Sequence, residues 1–237
     1  MSAAEERAWQ RRPRFPGRPF KWLLLAVLAG LGLWYANDAV GYAFVRDRPA
    51  EETWLRRAGS FIHLAAAVPL LLIAPLQFSR RLRARWPRWH RRIGRAYLGS
   101  AMVAALVAAY LGATFERVGS RTPLVIFALL WFAFSAAAWL CARRGAFAVH
   151  ERFVVRSYAL ALAFVLVRLL GEFQDRLFPF MPDQALRDAT REWLSFVLPL
   201  LAVETCYSWW PSFRAARQRR SPIAPTTRPY QADSLPR

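Results

Sequence analysis

Cysteine, histidine and acidic residues are all scarce in this chain, and each scarcity excludes something. Two Cys in 237 residues cannot make a disulfide framework, and with three His they form no zinc-ligand spacing. Fifteen Asp and Glu stand against 34 Lys and Arg, so the formal charge is +19. Gly-rich phosphate loops, nucleophile elbows, metalloprotease helix pairs and glycosidase carboxylate dyads are all missing, so no catalytic residue and no metal ligand is assigned. Hydrophobic residues make up 56% of the chain, which excludes a disordered protein.

Those apolar residues stand in blocks. A helix needs about 20 mainly apolar residues to cross a bilayer core. Six segments qualify: Trp22 to Phe44, Gly59 to Phe78, Gly94 to Phe115, Leu124 to Ala142, Phe153 to Phe173 and Trp193 to Ser212. None alternates in polarity as a barrel strand would, so the expected fold is all-α, an integral bundle of six transmembrane helices. Residues 1–20 read as a basic flexible arm, 21–213 as the membrane domain and 214–237 as a flexible Pro-rich tail.

Arginine sets the expected orientation. The N-terminal arm, the second and fourth connectors and the C-terminal tail together hold 24 basic residues, against nine in the other three connectors. By the positive-inside rule both termini are expected in the cytoplasm, as in a multi-pass protein of a bacterial inner membrane. The same arginines would meet anionic phospholipid at the cytoplasmic face, a reading preferred to nucleic-acid binding because every cluster adjoins a membrane helix. That basic face is also a docking surface for a protein partner, under a reading in which the chain is structural.

Polar residues inside the blocks carry the remaining information. Asn37 and Asp38, His63, and Arg168 with Glu172 fall at similar depth near the outer boundary. They are candidates for a polar pocket that takes a solute, a proton or a lipid headgroup. The competing account is structural, with Arg168 and Glu172 satisfying each other at i and i+4. Glu204 lies near the middle of the sixth block, where it must be paired, hidden or kept protonated, and is a proton-handling candidate. Ser60, Ser100, Ser135, Ser157 and Ser208 read as helix-packing hydroxyls rather than nucleophiles.

His90 and His150 open the third and fifth blocks on the basic side. Two imidazoles so placed could ligate one b-type haem, with Arg92, Arg95 and Arg156 meeting its propionates. The alternative is that both are interfacial hydrogen-bonders and that the protein holds no cofactor. The chain leans away from an enzyme.

The run His63 to Phe78 with Pro75-Leu76-Gln77-Phe78, then Arg81 and Trp89-His90-Arg91-Arg92-Ile93-Gly94-Arg95-Ala96-Tyr97, resembles a family of bacterial predicted membrane proteins. This is the family designated domain of unknown function 2306. Trp131, His150 through Arg156-Ser157-Tyr158-Ala159-Leu160, and Arg168 continue the pattern over about residues 59–172. The resemblance implies an address in a membrane and no reaction. It also implies that His63, His90, His150 and Arg168 belong to one family pattern.

Overall fold

A computed structural model describes residues 26–28, 30–37, 41 and 53–219. Residues 26–28 and 30–37 are helical (α1). The chain continues as α2 (Trp54–Gln77), α3 (Arg80–Arg85), α4 (Pro87–Ala113), α5 (Val118–Arg143), α6 (Phe147–Ala161), α7 (Ala163–Glu172), α8 (Gln174–Leu177) and α9 (Gln184–Glu204). There is no strand among the described residues. A π-helical turn, Thr205–Trp209, and α10 (Trp210–Arg219) belong to a separate compact unit from residues 14–204. Helix α10 runs six residues past 213, into the stretch expected to be flexible tail.

Three described stretches are long and apolar enough to cross a membrane: Pro87–Ala113, Val118–Arg143 and Phe147–Glu172. The last is α6 and α7 read together, joined through Leu162. Sequence and structure agree on where these blocks lie, because a lipid-facing chain must satisfy its backbone within each helix. They differ on the sixth. Its helix begins at Gln184 rather than Trp193, so residues 184–192, a connector by composition, supply the first turns of α9.

Helices α4, α5 and α6 are successive antiparallel neighbours joined by short turns. Gly145, at φ 73°, makes the turn between α5 and α6, a conformation that favours glycine. Ser79 caps α3, its side chain accepting from the Leu82 amide at 3.2 Å, and Thr53 caps α2 in the same way. The core is built from small residues. Ala101, Ala104 and Ala105 of α4, Ala128 and Ala138 of α5, and Ala159 and Ala161 of α6 are buried with Leu70, Leu98, Leu160 and Phe196. Small side chains let helix backbones approach closely, which is how helices associate when lipid is as apolar as leucine. At Gly112 the approach is tight, since a Cβ there would sit 2.9 Å from the Leu124 Cβ.

Candidate functional site

Polar groups gather at three levels within residues 14–204. The first is the end of the bundle where α2 starts and α4 and α7 finish. One open hollow of about 400 Å³ is lined by Val167, Arg168, Gly171, Glu172 and Arg191. A second, of about 360 Å³, is lined by Trp34, Tyr35, Asn37, Arg168 and Glu172. Sharing two residues, they are two lobes of one polar surface. Arg168 also lies over the Phe164 ring at 5.8 Å.

The candidate pocket residues thus divide. Asn37, Arg168 and Glu172 come together, and Asp38 lies outside the described residues. His63 turns to α4, its Nδ1 standing 2.9 Å from the Ala104 carbonyl oxygen. A carbonyl only accepts, so Nδ1 carries the hydrogen and the ring ties α2 to α4.

A buried charge network beside the hollow escaped the sequence reading. Asp188 is 1% exposed; it accepts from Gln184 at 2.9 Å, from Arg191 at 2.9 Å, and from Arg117. One turn on, Glu192 is also buried, and its Oε2 finds no hydrogen-bond partner among the described residues. Burial pushes the Glu192 carboxyl above its ordinary value, against the opposing pull of Ser120, Arg191 and Arg117. The signal was present in the i, i+3, i+4 spacing of Asp188, Arg191 and Glu192. It has meaning only on a helix, and by composition residues 184–192 read as a connector.

The second level is mid-bundle. Ser135 donates to the Trp131 carbonyl at 2.8 Å, which uses its one hydrogen. Ser157, 2.8 Å away, therefore donates to Ser135, and Tyr97, 3.3 Å from Ser157, donates in turn. One directed chain of hydroxyls thus joins α4, α6 and α5.

The third level is the arginine-rich end, where α2 finishes and α4 and α6 begin. Arg156 and Glu204 form an ion pair at 2.6 Å, so a proposed propionate partner and the proton-handling candidate hold each other. His150 Nδ1 lies 2.8 Å from the Ala138 carbonyl oxygen, so Nδ1 carries a hydrogen, and Nε2 is the nitrogen that is bare whenever the ring is neutral. His150 is also near enough for its charge to bear on His90, as do Arg83 and Arg91. The His90 Nδ1 is buried with no hydrogen-bond partner among the described residues. Arg95 donates to the Arg91 carbonyl at 3.4 Å, and Arg92 lies over the Trp89 ring at 5.7 Å. Neither of these contacts reaches either histidine.

The motif pieces meet here as well. The Phe78 and Tyr158 rings pack at 5.4 Å, and the Gln77 Oε1 would lie 3.0 Å from a Cβ on Gly94. Pro-Leu-Gln-Phe, His-Arg-Arg-x-Gly-Arg and the Arg-Ser-Tyr run are one cluster in space. Among the described residues no three His, Cys, Asp or Glu side chains are placed to hold a metal ion.

No curated protein and no solved structure matches the chain. A family model described as predicted membrane protein, DUF2306, matches residues 60–206, a segment that holds α2 apart from its first turns, α9 and all three helices long enough to span. With more than half of its length covered, the chain belongs to that family of membrane proteins.

Proposed function

We propose that this protein spans the bacterial inner membrane six times, with both termini in the cytoplasm, and binds a small zwitterion at its outer end. The ligand is a solute or a lipid headgroup that carries both charges. One observation supports the reading: Arg168 and Glu172 line both lobes of the same open surface, with Arg191 in one lobe and Asn37 in the other. Guanidinium groups receive a carboxylate or phosphate, while Glu172 receives an ammonium. Asp188, which holds Arg191 from below, fixes one of the cations in place.

The test is a thermal-shift titration of the detergent-purified protein with glycerophosphoethanolamine and, separately, with glycine betaine and glutamate. A rise in melting temperature with a zwitterion, lost in Arg168→Gln and in Glu172→Gln, is the expected result. No shift with any probe at millimolar concentration sinks the reading.

A further inference from the structure

We infer that the arginine-rich end carries a second, separate site for a phosphate group, built by Gln77, His90 and Tyr158 where α2, α4 and α6 meet. Three polar atoms there are buried without a hydrogen-bond partner among the described residues: Gln77 Nε2, His90 Nδ1 and the Tyr158 hydroxyl. Tyr158 is only 6% exposed, so water does not readily serve its hydroxyl. Native interiors seldom leave such groups unpaired, and several in one place point to a ligand.

Their neighbourhood is shared. His90 and Gly94 are one turn apart on the same face of α4, and Gln77 lies against Gly94. Phe78, the next residue, packs on the Tyr158 ring. The lack of a side chain at Gly94 is what lets the α2 terminus come this close.

The chemistry selects an anion with several acceptor oxygens. An amide N–H and a phenol both donate, and Nδ1 donates in the tautomer or charge state that carries its hydrogen. The charged groups bearing on His90 are Arg83, Arg91 and His150, all of them cations or able to become so. Helices α4 and α6 both begin at this end, and neither has a side-chain cap on its N-terminus. Of the two, only the α4 N-terminus reaches the cluster, since His90 lies in its first turn, and its dipole adds to the same preference. A phosphate oxygen can accept from every one of these groups, whereas a hydrocarbon satisfies none. The source is either an anionic phospholipid headgroup or a soluble phosphate compound. Basic pockets between membrane helices are known receivers of the former.

The experiment uses the full-length protein in phosphatidylcholine nanodiscs with and without phosphatidylglycerol, followed by native mass spectrometry and melting. Bound phosphatidylglycerol is expected to survive release from the disc and to raise the melting temperature. Tyr158→Phe, which keeps the ring on Phe78, and Gln77→Met should each lower retention by about tenfold, the worth of one charge-assisted hydrogen bond. Stabilisation by inorganic phosphate in pure phosphatidylcholine discs, with the same loss in both variants, supports a soluble source instead. A Tyr158→Phe protein that retains lipid unchanged and melts higher than its parent has merely lost an unpaired hydroxyl, and overturns the site. A visible Soret band that disappears in His90→Ala gives the cluster to haem, with the bare Nε2 of His150 as second ligand, and also overturns it.

Discussion

At the scale of single residues, burial decides which charges matter. Arg187 and Asp175 form a 2.6 Å pair, but Asp175 is 85% exposed, and pairs of that kind contribute little. Asp188 is its opposite, fully enclosed by Arg117, Arg191 and Gln184. Removing it with Asp188→Ala leaves Arg191, half-buried, without its carboxylate, and should cost about 3 kcal/mol by the usual penalty for breaking a buried pair. Asp175→Ala should leave chemical-denaturation midpoints within error, and equal effects of the two would refute the distinction. Glu192 supplies the pH dependence. Its folded pKa lies above the unfolded one, so the folded state favours the protonated form. The resulting stability is lost as pH rises from about 4.5, the ordinary value, through the raised folded value. Glu192→Gln should therefore gain on its parent as pH climbs toward neutral, and a variant that tracks its parent at every pH would show the carboxylate to be well solvated. The spacing that joins Asp188 to Arg191 and Glu192 has meaning only on a helix, and in a polar stretch broken by Pro179 and Pro182 it does not by itself set Asp188 apart from Asp175. Only the early start of α9 puts one inside and one outside.

Elements were legible where hydrophobicity alone defines them. The blocks behind α4, α5 and the α6–α7 pair needed only length and apolar content, since lipid leaves a chain few alternatives. The start of α9 was not legible, because its first nine residues carry four charges and look like loop. Their helical form follows from burial of Asp188 and Glu192 against α5, a tertiary fact. How α4 and α5 cross was equally hidden. A Cβ on Gly112 would meet the Leu124 Cβ at 2.9 Å and the Leu124 and Val125 backbone at 3.4 Å, so the neighbour cannot swing aside. Gly112→Val should force the two helices apart and cost about 1–3 kcal/mol, the usual range for overpacking. Gly99→Val, where nothing lies within 4 Å, should melt like the parent. The hydroxyl chain is a gentler link. Ser157→Ala strips Tyr97 of its acceptor, yet hydrogen bonds between membrane helices average only about 0.6 kcal/mol. A loss well above 2 kcal/mol in that variant would mean the chain serves more than packing.

For the whole molecule, the two ends differ in kind. One presents a shallow polar surface that mixes both charges, and the other a cluster of buried donors among arginines. The family motifs were legible as strings, but that their three pieces converge on one cluster follows only from α2 finishing where α4 and α6 begin. Which end faces which compartment rests on the arginine asymmetry, and in lipid that asymmetry governs the orientation of short connectors. Glu116 and Arg144 report on it, since both are exposed and they sit at opposite ends of α5. With Cys141 and Cys206 first replaced by Ser, Glu116→Cys should react with a membrane-impermeant maleimide in intact cells, whereas Arg144→Cys should react only after the membrane is opened. The reverse pattern would place the arginine-rich cluster outside. The phosphate site would then have to draw on the outer leaflet, and the zwitterion surface would face the cytoplasm. Labelling of both positions in intact cells would remove α5 from the membrane and, with it, the six-span bundle.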